Sequence, residues 1–252
     1  MTRTMIFAKR NLLEMSRDPL SYVFCAAFPI VMLAVMSVLD ASIPPEAGMT
    51  VFRLDNLLGG IIVFGHTFLM LFAALTVSQD RYGSFLMRLY ASPMKSGNFT
   101  IGYILPMILV GVVQSMLTIA AAVVVSLITG FRLNAGGLVL AVVGAVPSAV
   151  MFVSIGIIFG TLFSRNSAPG LCSVVISLGS FMGGIWFDAE GAAGAIGTAC
   201  RCLPFIYAVR SVRGCVKAEF SVGAMAVTAV TAAVLLIAAD ALFRMKMRAD
   251  LE

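Results

Sequence analysis

The chain has 252 residues, 60% of them hydrophobic and 12% charged, with a net charge of +5. That balance excludes an ordinary water-soluble globular domain. The positive charge does not point to nucleic acid, because no basic run with interleaved aromatics appears; it fits basic residues flanking membrane segments.

In chain order, Thr4–Arg17 comes first and reads as an amphipathic helix lying in the membrane interface. Met5, Ala8, Leu12 and Met15 fall on one face, with Lys9, Arg10, Glu14 and Arg17 towards the other. Pro19 ends it. Six apolar runs follow that meet or approach the ~20 residues needed to cross a hydrocarbon core of ~30 Å. They are Ser21–Leu39, Leu57–Val77, Ile101–Thr129, Leu138–Phe163, Leu171–Phe187 and Val222–Phe243. The third and fourth are overlong and the fifth is short. The first follows a charged lead and shows no small-residue cleavage site, so it reads as a retained span rather than a signal peptide. Backbone groups in lipid must be hydrogen-bonded internally, and the short alternating segments of a membrane barrel are absent, so the expected class is all-α.

Between the second and third runs lies Ser78–Thr100, a charged and amphipathic interruption. Asp40–Asn56, with Pro44-Pro45, and Gly130–Gly137 read as short turns on the opposite side, and Ser164–Gly170 as a tight turn on the same side as Ser78–Thr100. Residues 188–221 are too polar for a clean span and too apolar for a solvated loop. They read as one or two short helices dipping into the outer leaflet, where irregular backbone is tolerated only against protein or a cavity. With the N-terminus placed inside, the inner segments hold 11 Lys and Arg residues and the outer ones six, so both termini are expected in the cytoplasm. No linker or soluble domain separates the runs, and residues 1–252 read as one membrane domain.

Chemistry is sparse. There is no GxxxxGK[ST] phosphate loop, no GxSxG elbow and only one histidine, so neither a nucleotide site of that kind, a serine hydrolase nor an HExxH metal centre is expected. His66 and Asp240 lie within predicted spans. Such groups face protein or water, and Asp240 has Arg244 four residues on as a partner. His66 and Gln114 are the candidate pathway residues, with interhelical hydrogen bonding as the alternative role. Gly156-xxx-Gly160 and Gly179-xxx-Gly183 allow close helix approach, in the bundle or at a dimer seam. Cys25 and Cys172 read as small apolar residues in spans. Cys200, Cys202 and Cys215 fall in the outer segment, where a disulfide from Cys215 to either of the others stays open.

The segment Asp80–Pro93, DRYGSFLMRLYASP, resembles the inner loop of the permease subunits of ABC-2-type exporters. Asp80, Arg81, Gly83, Ser84, Arg88, Leu89, Ser92 and Pro93 match the family's pattern of an acidic-basic pair, Gly-Thr/Ser, an apolar/basic turn and Thr/Ser-Pro. The chain departs from it where Leu86 or Met87 replaces an acidic residue and where the spacing to Pro93 is one residue longer than in the family. A second match runs from Pro204 through Tyr207 to Arg213, with Arg210 where an acidic residue is common. The layout of interfacial helix, six spans, inner loop and outer half-helices is similar throughout.

The resemblance implies a non-enzymatic permease with no cofactor of its own. Asp80, Arg81, Gly83, Arg88, Leu89, Ser92 and Pro93 would form a coupling helix docking on a separate ATP-binding subunit. That subunit would be present in two copies and would hold ATP and Mg. Pro204, Tyr207, Arg210 and Arg213 would form an outer gate. The partners implied are a second copy of the permease or a paralogue, and the bilayer of an inner or plasma membrane. The expected cargo is a drug-like or lipophilic compound, with a lipid-linked glycan or other lipid as the alternative. A self-contained carrier or channel remains the rival reading.

Overall fold

One helix organises the molecule because its neighbours surround it on every side. In the computed structural model, which describes residues 3–44, 49–83, 96–189 and 191–249, Leu54–Tyr82 is the most buried long helix, with 83% of its apolar window covered. Leu57, Leu58, Ile61, Ile62, Leu69 and Met70 on it have no exposed surface at all. The other described elements pack around it or beside one another. They are α1 (Arg3–Arg17), α2 (Pro19–Ser42), the central α3 (Leu54–Tyr82) and α4 (Ser96–Thr129), followed by α5 (Ala135–Leu162), α6 (Ala168–Met182), α7 (Gly194–Cys202), α8 (Pro204–Lys217) and α9 (Val222–Ala249). No strand occurs among the described residues. The fold is therefore all-helical, as composition required.

Five of these helices, α2, α3, α4, α5 and α9, are long and apolar enough to cross a membrane. The fifth expected run, Leu171–Phe187, is helical only as far as Met182. Its 15 residues span about 22 Å, short of a ~30 Å core. Glycine explains the stop. Gly184 takes φ 70°, where a side chain would clash, and its N–H bonds back to the Phe181 carbonyl while that of Ile185 reaches Ser180. Left-handed glycine at a helix end is a strong terminator.

Proline sets two further irregularities. In α2 the segment Val23–Ala27 is π-helical, with the Phe28 N–H bonded to the Val23 carbonyl five residues back, immediately before Pro29. In α5 the helix turns at Ala145 and restarts with Pro147 in its first turn, where the missing N–H costs nothing. Small residues set the closest packing. Gly156 and Gly160 of α5 lie against the Met70 and Ala74 carbonyls of α3, so this glycine pair is used inside the bundle.

α1 is not divided as its spacing suggested. Phe7, Ala8, Asn11 and Met15 are buried against the bundle, whereas Met5, Ile6 and Leu13 are exposed and Leu12 is half-covered. Lys9 falls among these outward apolar residues rather than with Arg10 and Glu14.

Candidate functional site

One cluster of charged side chains lies where α3 ends and α4 begins, on either side of residues 84–95. Asp80 sits in the last turn of α3 with only 4% of its side chain exposed. A carboxylate that dry needs a hydrogen-bonded cation. Arg10 of α1 supplies one in the two-pronged geometry its guanidinium favours, with Nη1 and Nη2 donating to Asp80 Oδ2 and Oδ1 at 2.6 and 2.9 Å. Tyr103 of α4 donates its hydroxyl to Oδ2 at 2.9 Å. Arg10 also pairs with Glu14 at 2.9 Å. Burial acts to lower the pKa of Arg10, but the Asp80 hydrogen bonds and charge, with Glu14 adding, outweigh it and hold the pKa raised. The guanidinium stays cationic.

A backbone defect seats Arg10. Pro106 lies inside α4 and has no N–H to give the Gly102 carbonyl four residues back. Asn11 fills the vacancy, its Nδ2 donating to Gly102 O at 3.1 Å, while its Oδ1 accepts from Arg10 Nη1 at 2.9 Å. Gly102 also lets the Phe7 ring approach the α4 backbone, and Phe7 meets Phe99 and Tyr103 edge-on at 5.6 and 5.0 Å. Pro106, Gly102, Asn11, Arg10, Asp80 and Tyr103 thus form one continuous chain of contacts linking α1, α3 and α4.

Two more contacts brace the same region. Arg81 donates to the Thr161 carbonyl in the last turn of α5, where helix carbonyls lack partners and the dipole favours a cation. On the α4 side, Thr100 Oγ1 donates to Asp240 Oδ1 at 2.9 Å, and Arg244 pairs with Asp240 at 2.5 Å. The Asp240–Arg244 pair expected from spacing is present, with Thr100 as an addition the sequence did not suggest. Gly83 follows α3 directly in extended conformation. Arg88, Leu89, Ser92 and Pro93, the remaining proposed coupling residues, lie outside the described residues.

The candidate pathway residues meet half-way along the same helices. His66 is 1% exposed; its Nδ1 lies 2.7 Å from Ser148 Oγ of α5 and its Nε2 3.4 Å from Ser115 Oγ of α4. Gln114 is 2% exposed, donates through Nε2 to Thr118 Oγ1 at 3.2 Å and has no partner for Oε1 among the described residues. Gly65 of α3 makes room for its amide. This cluster is neutral and joins three helices.

At the other end, α8 supplies the expected gate residues in separate roles. Pro204 opens the helix, and Tyr207 donates its hydroxyl to the Arg201 carbonyl at 3.0 Å. Arg213 reaches across to α3, donating to the Asn56 carbonyl at 2.8 Å and to Gly184 O at 2.9 Å, over Gly59, which leaves it space. Arg210 is exposed and lines, with Arg213, Lys217, Asp188 and Glu219, a polar cavity of about 550 Å3. All five cysteines are free; Cys200 and Cys215 are buried and Cys202 is exposed. Burial pushes the Cys215 thiol pKa up, which disfavours its thiolate. No group of three or more metal-ligating side chains occurs among the described residues.

A bundle of long apolar helices, with ionic contacts at both ends of α3 and neutral polar side chains between them, has the build of a polytopic membrane protein. The family model for ABC-2 type transporters matches residues 2–216, and the chain belongs to that family. It is thus a transmembrane permease of an ABC transporter, a multi-pass membrane protein that works with an ATP-binding subunit rather than a catalyst itself. No curated protein matches the chain.

Sequence reasoning reached Asp80, Arg81, His66, Gln114 and Arg213 but missed Arg10, Asn11, Thr100, Tyr103, Ser115 and Ser148. For Asn11 a partial signal existed: Pro106 four residues after Gly102 announces an orphan carbonyl. Nothing in the sequence says which side chain fills it.

Proposed function

We propose that this chain is the membrane half of an ATP-driven exporter of drug-like or lipophilic compounds, moved through its inner loop by a separate ATP-binding subunit. The observation that carries the reading is the paired anchorage of that loop. Asp80 and Arg81 tie the helix entering it to α1, α4 and α5, and Thr100 ties the helix leaving it to α9. A push on Asp80–Pro93 would reach four helices at once, because interfaces of this kind shift as units rather than deform gradually.

In this reading residues 1–252 form one membrane domain, with residues 1–20 in the inner interface and 78–100 as the coupling loop. α6 completes a sixth crossing, residues 188–221 fold back into the outer leaflet, and both termini lie in the cytoplasm of an inner or plasma membrane. Two permeases, identical or paralogous, pair with two ATP-binding subunits that carry ATP and Mg. The short loops favour a compact lipophilic cargo.

The test uses the complex purified with its ATP-binding subunit. Arg88→Glu or Leu89→Asp is expected to abolish assembly or coupled ATP hydrolysis. Arg10→Ala is expected to keep assembly but uncouple hydrolysis from transport. Undiminished transport by the chain with no ATP-binding subunit present overturns the reading. Orientation is read separately by labelling Cys202, the exposed thiol: it should react from outside, and a label arriving only from the cytoplasm contradicts the topology.

A further inference from the structure

Two of the four cations of α1, Lys9 and Arg10, are adjacent in the chain and point in different directions. Arg10 is engaged by Asp80 and Glu14. Lys9, one residue earlier, is exposed and has no ion pair among the described residues. At 100° per residue it projects into the arc that also holds Met5, Ile6, Leu12 and Leu13, away from the face that Phe7, Asn11 and Met15 bury. An ammonium alone in an apolar arc is costly beside lipid tails and favourable beside a lipid phosphate.

The surface behind Lys9 is hollow. A cavity of about 550 Å3 runs between Met5, Ala8, Lys9 and Leu12 of α1 and the stretch from Leu105 to Val112 of α4. It meets a second, of about 220 Å3, at Leu12 and Leu109, which line both. The second is bounded by Met15 and, on α2, by Cys25 and Ala26 of the π-helical segment. From Met5 to Met15 the trough follows α1 for ten residues, or about 15 Å. Its walls are almost wholly apolar, and among the described residues its one charged lining residue is Lys9.

We infer that this trough is a binding site for one acidic phospholipid of the inner leaflet, with the headgroup phosphate on Lys9 and an acyl chain between α1 and α4. Charge complementarity selects the occupant: an ammonium at the mouth favours an anionic headgroup, and the apolar length behind it takes the chain. The site touches the same helix whose other face holds Asp80. A bound lipid therefore packs against the element that anchors the coupling loop. The inner-leaflet assignment rests on the cytoplasmic N-terminus proposed above; the lipid preference does not.

The experiment reads acyl contact directly. In a Trp186→Phe background, Val112→Trp places a single tryptophan in the trough. The protein is reconstituted in phosphatidylcholine vesicles containing equal fractions of either dibrominated phosphatidylglycerol or dibrominated phosphatidylcholine. Quenching should correspond to association about five-fold stronger for phosphatidylglycerol, the equivalent of about 1 kcal/mol for one lysine near a phosphate. Lys9→Gln should remove the excess. A control tryptophan at Val230, on the outer face of α9, should show none. Native mass spectrometry of the chain with Trp186 intact, with and without Lys9→Gln, reads the same preference if the reporter folds poorly. Equal association of both lipids, or an excess undiminished by Lys9→Gln, overturns the site. Quenching occurs whichever leaflet holds the lipid, so a wrong orientation would appear in Cys202 labelling and not here.

Discussion

The two polar clusters on α3, around Asp80 and around His66, solve the same problem in opposite ways. Fourteen residues, or about 21 Å, separate them along one helix. Near the membrane surface the bundle uses full charges: a bidentate ion pair, a tyrosine hydroxyl and a borrowed backbone carbonyl. In the middle it uses a neutral imidazole between two serines and an amide beside a threonine. Coulomb attraction repays desolvation only where geometry is good and water is near, and Arg10 keeps 34% of its side chain exposed. Mid-bundle, His66 and Gln114 have no such access. The Asp80 end is therefore held by strong, directional contacts, and the middle by weaker ones.

The sharpest way to break this contrast is Arg10→Ala. It leaves a buried carboxylate without its cation and should cost about 3 kcal/mol of stability in detergent, whereas the double variant Arg10→Ala/Asp80→Asn should lose markedly less than the sum of its parts. Thermal unfolding of the four proteins measures this, and additivity would show that the pair is not coupled.

Next in size is Gly65→Val, which drives a branched side chain into the space of the Gln114 amide. About 2 kcal/mol is expected from overpacking, and Gln114→Ala in the same chain should recover part of it.

Ser148→Ala removes a partner of His66 and should cost about 1.5 kcal/mol, because a buried ring nitrogen then goes unpaired. The same substitution beside His66→Phe should be nearly neutral. Neither result should depend on salt, since no net charge is involved.

The smallest effect isolates the backbone defect in α4. Asn11→Ala should cost about 1 kcal/mol in the natural chain. With Pro106→Ala, the restored N–H reaches the Gly102 carbonyl within the helix, and Asn11→Ala should then cost little. A double-mutant cycle showing no coupling between Asn11 and Pro106 would mean that Asn11 does not replace the missing bond.

Much of the architecture was readable from local pattern. Long apolar runs locate the spans because lipid leaves the backbone no partner but itself. The Asp80–Pro93 motif points to the loop whose base proves to be anchored. Asp240 and Arg244 pair as four-residue spacing requires. The length of α6 escaped because Gly183 and Gly184 look like ordinary apolar-run residues until one of them takes positive φ. The inward face of α1 escaped because Phe7 is apolar but off the expected stripe, while Asn11 is polar yet buried by the orphan carbonyl it meets.

The sequence alone determined that this protein crosses a membrane as helices, carries no nucleotide motif of its own and has a charged loop between its second and third apolar runs. Composition and periodicity decide those properties because they depend on solvent and on neighbours a few residues away. Tertiary structure decided which charges meet. Arg10 and Asp80 are 70 residues apart, and Thr100 and Asp240 140 apart. Their pairing depends on where helix packing places α1 and α9, and packing follows the summed shape of many small side chains. It also decided that Lys9 and Arg10, adjacent in the chain, face different surroundings: one meets a carboxylate inside the protein, the other an apolar trough.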